Sequence, residues 1–351
     1  MFRKNKSVVG LDLGQQVVKA VEISLEGAEP VITGFACAEI GEGETRSDAI
    51  ERVFQEGKFR TKNVVTSVSG QSVVVRYITM PQMSDAELSQ AIRFESDKYL
   101  PFDADEVQLD CQRLKRKPPA SGEGHTEEEQ IGVVLAACRN DAIEEQIDAI
   151  KDRGLTPMAV DVDVFALANA WELCGLSEAE IDEEGDAERA IALVDVGASC
   201  TSINVLCGGE TCFSREIGIG GRDMTQAASR RLGLDLAEAE RVKRSPEGRD
   251  AEVSRAISPV LEDLVSEVSL SLDYVENREG VRVDEVLLSG GGVMAPGAVG
   301  FIEQALGRAT RTWNPLEGLR IAEGRVNQEE LEAIGPALAV AIGLAARVCA
   351  A

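Results

Sequence analysis

The 351-residue sequence predicts an α/β protein of two similar lobes with a small inserted subdomain. The stretch IALVDVGASCTSINVL (Ile191 to Leu206) is an apolar run, then Asp195-Val196-Gly197, a small hydroxyl-rich turn and a second β-branched run. VVGLDLGQQVVKAVEI (Val8 to Ile23) follows the same plan, with Asp12 and Gly14 matching Asp195 and Gly197. One such hairpin is explained by turn chemistry alone. Two, one in each half and each fused to a buried-looking strand, indicate two lobes facing one site. The third observation is a β-α-β-β-α order between them, long enough for a subdomain.

In chain order, Pro30 to Ile40 reads as a third strand after the first hairpin. Ser47 is the expected cap of a helix running to Phe54, and Lys62 to Ser69 is a Val- and Thr-rich strand. Val73 to Met80 opens the insert. Ser84 and Glu87 form a capping box there, Met83 and Leu88 a hydrophobic staple, and Pro101 stops the helix. Ile92, Phe94 and Tyr99 are expected in its core. Strands follow at Val107 to Leu114 and Ile131 to Cys138, joined by a polar loop from Lys115 to Glu129. A helix from Asp141 ends near Arg153 and Gly154. Ala159 to Val164 is a strand carrying Asp161 and Asp163, with a helix through Trp171 behind it. Ser177 to Arg189 is an acidic connector.

After the second hairpin, Glu210 to Ile217 is a strand, and Gly218 to Gly221 lead into a helix from about Asp223. Leu236 to Ser245 keeps a helical pattern. Ser258 to Asn277 is amphipathic, with Leu261, Leu264, Val268, Leu272 and Val275 on one face. Val283 to Leu288 is a buried strand running into Ser289-Gly290-Gly291-Gly292, with a helix from about Ala298. Glycines at such a junction permit close ligand approach, and the helix dipole favours anions; a tight turn is the plainer alternative. Arg311 to Trp313 is a last short strand before a terminal helix.

The turns carry the chemistry. Glycine lets backbone N–H groups approach a ligand, Ser199, Thr201 and Ser202 add hydroxyls, and Lys19 adds a positive charge. An Asp at each strand end, Asp12 and Asp195, suits the water shell of a hard cation such as Mg²⁺.

Composition narrows the classes further. A net charge of −25 argues against nucleic acid and anionic lipid as partners of the whole surface, the basic start Phe2 to Lys6 excepted. Eight cysteines without a C-x-x-C pair, and one histidine, His125, exclude the usual zinc sets and histidine-based triads. The cysteines read as small buried residues in a reducing cytosol. No signal-peptide pattern precedes Asp12. Ala333 to Ala351 is near spanning length, but its Ala/Gly content, Pro336 and Arg347 favour a buried helix over a membrane span.

The order of these pieces resembles the actin-like ATPase superfamily, with two ribonuclease-H-like lobes, two phosphate hairpins and a Gly-rich adenosine motif. Within it, the chain resembles the PilM family of type IV pilus assembly proteins, relatives of the cell-division protein FtsA. The specific stretches are ITMPQMSDAELSQAIRFESDKYLPFDADEVQLDCQ (Ile78 to Gln112), VDVDVFALANA (Val160 to Ala170), GGRDMT (Gly220 to Thr225) and AVAIGLAAR near the end. The implied organisation is a first lobe over 1–72, a βαββα insert over 73–157, first lobe and connector over 158–190, a second lobe over 191–332, and a terminal helix over 333–351 returning to the first lobe.

The resemblance implies ATP and Mg²⁺ as cofactors. Gly14, Gln15, Gln16 and Lys19 would contact phosphate from one side, and Gly197, Ser199 and Thr201 from the other. Asp12 and Asp195 would hold hydrated Mg²⁺ or orient water. Gly220, Gly221 and Thr225 would lie by phosphate and ribose. Glu240 and Lys243 would flank ribose and adenine, where the plainer reading is an exposed i,i+3 pair. Gly290, Gly291 and Gly292 would line the nucleoside. Two departures bear on hydrolysis: Gln15-Gln16 replaces small hydroxyl residues, and Asp163 stands where relatives have the longer Glu.

The implied function is a cytoplasmic, ATP-binding assembly protein with weak or no ATPase activity. It would dock the tail of a PilN-like inner-membrane protein, join other pilus assembly proteins, and reach the membrane only through partners. A small-molecule phosphotransferase of the sugar or acetate kinase kind is the alternative, with Asp163 or Asp195 as base. A third reading, the cytoplasmic part of a type II secretion component, would normally bring a membrane span.

Overall fold

A computed structural model describes residues 6–116, 130–174 and 190–350. The chain opens with strands β1 (Ser7–Leu13), β2 (Val17–Glu26) and β3 (Glu29–Glu39), then helix α1 (Arg46–Gly57) and β4 (Asn63–Val68). The insert contributes β5 (Val73–Pro81), α2 (Asp85–Glu95), β6 (Val107–Arg113), β7 (Gln130–Arg139) and α3 (Asn140–Lys151). Then come β8 (Thr156–Val162), α4 (Asp163–Leu173), β9 (Ala190–Val196), β10 (Thr201–Cys207) and β11 (Glu210–Ile217). Helices α5 (Gly221–Leu232), α6 (Leu236–Arg244) and α7 (Asp250–Glu279) precede β12 (Val283–Ser289), α8 (Ala298–Leu306), β13 (Ala309–Thr312) and β14 (Arg320–Ile321). Helices α9 (Gln328–Ala333), α10 (Ala339–Ala345) and α11 (Arg347–Ala350) end the chain.

Three sheets result, with orders β14-β3-β2-β1-β4-β8, β11-β10-β9-β12-β13 and β5-β7-β6. In both large sheets an antiparallel hairpin is extended by parallel strands at its first strand. That repeats the two-lobe plan expected from the hairpins. The near-continuous apolar character of β1 and β9 follows from burial on both faces.

Several boundaries differ from the sequence reading, each for a local reason. Thr45, not Ser47, caps α1, because Thr45 and Asp48 satisfy each other's backbone N–H groups reciprocally. The Ser47 hydroxyl instead accepts from Arg153 Nε at 2.7 Å. Helix α7 starts at Asp250 and runs through Pro259. A proline at that point leaves the carbonyl four residues back without its donor; Ser258 Oγ donates to that Arg255 carbonyl at 3.3 Å. Strand β8 ends at Val162, so Asp163 opens α4 instead of lying in the strand. An acidic residue is favoured in that first turn.

The order β-α-β-β-α of the insert stands, but its last helix packs elsewhere. Ile150 of α3 lies in the cluster of Val9, Leu11 and Val53 under the first sheet. Arg153 pairs with Asp48 of α1 at 2.7 Å. The core of the insert itself joins Leu88, Ile92, Val133 and Leu135. Phe94, expected in that core, is 91% exposed.

The terminal segment is not one helix but three short pieces, a 3-10 turn at Gly335–Leu338 that Pro336 opens, then α10 and α11. It is buried as expected, in a cluster that joins the two lobes: Leu338, Ile342 and Leu344 meet Val21 and Ile23 of the first sheet and Leu193 and Leu287 of the second. Approach is close enough that a Cβ on Gly10 would lie 2.0 Å from the Ala341 carbonyl, and one on Gly343 1.8 Å from that of Ala166. Strand β14, too short to carry a pattern, pairs with β3, so the chain rejoins the first sheet before residue 333. Among the described residues no helix is long and apolar enough to cross a membrane. The residues up to Asn5, the loop beyond Arg116 with His125, and the acidic connector lie outside the described residues.

Candidate functional site

The two Asp-x-Gly turns face each other. Ser199 Oγ on the second donates to Gln15 Oε1 on the first at 2.7 Å. In the first hairpin Asp12 sits opposite Lys19 across the strands, and their charged groups form an ion pair. Burial pulls the Lys19 ammonium down. Asp12, and Asp195 more weakly, outweigh it and hold the Lys19 pKa above its usual value. Lys19, expected at phosphate, and Asp12, expected at the cation, are thus each other's partner.

The second turn is fastened to the start of α5. The Gly197 carbonyl accepts from Gly221 N at 2.9 Å and the Ala198 carbonyl from Arg222 N at 2.7 Å. A Cβ on Gly220 would lie 2.8 Å from the Ala198 carbonyl oxygen. Gly220 and Gly221 therefore bring helix and turn together. Thr201 Oγ1 donates to the Ile219 carbonyl at 2.8 Å, so this hydroxyl proton goes to the backbone and not to the cleft. Ser199 carries the hydroxyl donor seen between the turns.

Beneath the turns lie three carboxyl groups. Asp195 accepts from Ser289 Oγ at 2.8 Å. Its pKa is raised by burial, against the pull of Lys19 and of Ser289. Asp163 is pushed up to about 7 by burial and by the Asp12 charge, although the Ser67 and Ser69 hydroxyls donate to it. Two acids that resist ionisation beside a third are a poor arrangement in an empty protein and a suitable one for a cation. Among the described residues no cluster of three metal-ligating side chains is set to hold an ion directly. The donor set fits an ion that keeps its waters.

On the far side, Lys243 is buried and its ammonium donates to the Gly221 carbonyl at 2.8 Å, Thr225 Oγ1 at 2.7 Å and Glu240 Oε2 at 2.7 Å. The pair with Glu240 is therefore not the exposed helix pair that spacing alone suggests. Burial lowers the Lys243 pKa against the pull of Glu240. Glu240 also accepts from Arg244 Nε at 2.7 Å, and Arg244 reaches Glu39 of the first lobe. Of the three glycines after β12, Gly290 has φ +91° and donates to the Pro336 carbonyl at 2.8 Å. A Cβ on Gly292 would meet Val196 Cγ1 at 2.4 Å, whereas one on Gly291 would meet nothing within 4 Å. Gly290 and Gly292 permit close packing, and Gly291 borders open space.

Sequence reasoning missed Ser67, Ser69, Ser289, Glu39 and Arg244. Ser289 directly precedes the glycine run and was legible as part of it. The others become site residues only through contacts across the fold. In the insert, a cavity of 780 Å³ opens between the start of α2 and β6, lined by Met83, Ser84, Leu88, Cys111 and Arg113. Strand β6 is an edge of its sheet.

A family profile described as "Type IV pilus assembly protein PilM" matches residues 10–349. Among solved structures, the PilM-PilN type IV pilus biogenesis complex contains a chain 30% identical, with a TM-score of 0.82 over 97% of this chain and 98% of that one. The ethanolamine utilization protein EutJ from Carboxydothermus hydrogenoformans is 15% identical, with a TM-score of 0.54 over 97% of this chain and 89% of that one. Component A of the Acidaminococcus fermentans (R)-2-hydroxyglutaryl-CoA dehydratase is 12% identical, with a TM-score of 0.50 over 98% of each. The last two are likenesses of fold. The architecture is the actin-like ATPase fold.

Proposed function

The chain belongs to the PilM family of type IV pilus assembly proteins, and on that premise we propose that it binds ATP with hydrated Mg²⁺ between its lobes and docks the cytoplasmic tail of a PilN-like inner-membrane protein. The observation that carries the nucleotide half is the meeting of the two turns through Ser199 and Gln15, with Asp12, Asp163 and Asp195 gathered beneath them. Backbone donors of Gly14 to Gln16 and of Ala198 and Ser199, with Lys19, would hold phosphates, while the Gly197 N–H closes its own turn onto the Cys200 carbonyl at 2.9 Å. Asp12 and Asp195 would hold the cation's water shell. Glu240, Lys243 and Gly291 would border the nucleoside. Bound Mg²⁺ supplies neutralising charge there; the chain's own part is to position and to exclude water.

The tail half rests on likeness to the PilM–PilN complex. We place the tail at the insert, where an edge strand and a cavity suit an extended peptide. The protein would then be cytoplasmic and peripheral to the inner membrane through that partner, alongside other assembly proteins. ATP would act mainly as a structural ligand, holding the state that binds it better. Family membership favours this reading over a small-molecule phosphotransferase.

Calorimetric titration with Mg·ATP and with a PilN-like tail peptide tests both halves. Replacing Val73 to Arg139 with a short linker, and keeping α3 because it packs on the first sheet, should abolish peptide binding and spare nucleotide binding. Peptide binding retained by that variant would move the tail elsewhere. Absence of nucleotide binding by the intact protein would sink the first half.

A further inference from the structure

The hairpin of β10 and β11 turns through Gly208 and Gly209, both left-handed at φ +59° and +78°, the pair of conformations a tight hairpin turn requires. Just behind the turn, Cys207 on one strand and Cys212 on the other are both buried, with their sulfurs 2.6 Å apart as free thiols. None of the chemistry assigned to the cleft uses them. We propose that Cys207 and Cys212 are an oxidant-sensitive pair that closes to an intrachain disulfide when the protein meets a peroxide.

Three further features support this. The two thiols are not equivalent. The Cys212 thiol beside it, and then the Arg116 guanidinium, hold Cys207 below the usual thiol range despite burial. Hydrogen bonding to Cys207 and burial hold Cys212 above that range. Cys207, the sulfur that the Arg116 guanidinium also hydrogen-bonds, is assigned as the attacking sulfur and Cys212 as the resolving one. The pair also stands in a sheet's edge hairpin, where Cys207 keeps 3% and Cys212 7% of its surface open. Finally, Arg116 argues against a metal at the pair, since its guanidinium, which donates to Glu279 at 2.6 Å, already brings a positive charge to Cys207.

The step balances with hydrogen peroxide as oxidant. The Cys207 thiolate attacks one peroxide oxygen, the O–O bond breaks, and the sulfur becomes a sulfenic acid as hydroxide leaves and takes up a proton as water. The Cys212 sulfur then attacks the Cys207 sulfur, an S–S bond forms, and a second water leaves with the Cys212 proton. Two thiols and one peroxide give one disulfide and two waters.

The consequence reaches the insert. Glu210, in the same hairpin, accepts from the backbone N–H groups of Lys115 at 2.9 Å and Arg116 at 2.7 Å, at the end of β6. Closing the disulfide removes the Cys207 thiol that Arg116 faces, so the redox state of the second lobe is felt at the end of β6.

The test uses the full chain in a Cys349→Ser background, because Cys349 is exposed and can cross-link molecules. The protein is treated with hydrogen peroxide, remaining thiols are alkylated under denaturing conditions, and peptides are mapped by mass. The expected result is a Cys207–Cys212 linked peptide, reversed by dithiothreitol. Cys138 and Cys174, which burial holds up to about 11 and about 12, should stay alkylatable. Cys212→Ser should leave a Cys207 sulfenic acid that dimedone traps. Alkylation of both Cys207 and Cys212 after treatment, or oxidation spread equally over all buried cysteines, would overturn the proposal. The unsubstituted pair is read directly, so a poorly folding variant does not decide the matter.

Discussion

Gln15 and Ser199 touch across the cleft, 184 positions apart in sequence, through one hydrogen bond of 2.7 Å between the tips of the two phosphate-type turns. The contact brings both lobes to a single site. It also gives Gln15 a part: a small hydroxyl residue there would not span the gap, while the amide does.

Asp195 lies where a cation's water shell is expected, and burial raises its pKa. Asp195→Asn should weaken Mg·ATP binding by tenfold or more, about 1.4 kcal/mol per tenfold. Thermal unfolding without ligand should not worsen, since the amide keeps the Ser289 bond and removes a costly charge. Unchanged affinity in calorimetry would remove Asp195 from the cation.

The metal-free protein should lose stability as pH rises. Asp163 titrates near 7 in the folded chain and near its ordinary value, about 4, unfolded. Between those values the folded state holds more protons, so raising pH favours unfolding, and the loss is complete above about 7. Unfolding midpoints measured in EDTA should fall from pH 5 to pH 8, and Asp163→Asn should flatten that fall. Identical pH profiles for the two proteins would show that Asp163 is ionised throughout.

Hydrolysis should be slow, because Asp163, proposed to position the attacking water, is one methylene shorter than the Glu that the family resemblance implies at this place. Single-turnover measurements should find ATP persisting on the protein, with Asp163→Glu equal or faster. Rapid multiple turnover by the unsubstituted chain alone would reject a mainly structural role for ATP.

Gly343→Ala should be severely destabilising, unlike most added methyl groups on a helix. Its Cβ would lie 1.8 Å from the Ala166 carbonyl, so α10 and α4 must separate in a core shared by both lobes. A loss on the order of 3 kcal/mol or insolubility is expected, read by denaturant unfolding. A midpoint within error of the parent would mean that the helices part easily.

Local rules made much of the fold legible. The apolar and β-branched runs on either side of Asp12-Leu13-Gly14 and Asp195-Val196-Gly197 set both hairpins, and Ser84 with Glu87 set the start of α2, because strand, turn and cap depend on residues a few positions apart. They also marked Gly197, Gly291 and the acids Asp12 and Asp195 as candidates for the site. What the tertiary structure alone decided depends on distant partners. The burial of Lys243 needs the Gly221 carbonyl brought over it. The raised pKa of Asp163 needs Asp12 and the low dielectric of a closed cleft. The allegiance of α3 to the first sheet rests on Ile150 meeting Val9 and Leu11, and a two-residue strand such as β14 exists only by its pairing with β3. No pattern within ten residues encodes such contacts, since each is fixed by how two separately formed surfaces exclude water between them.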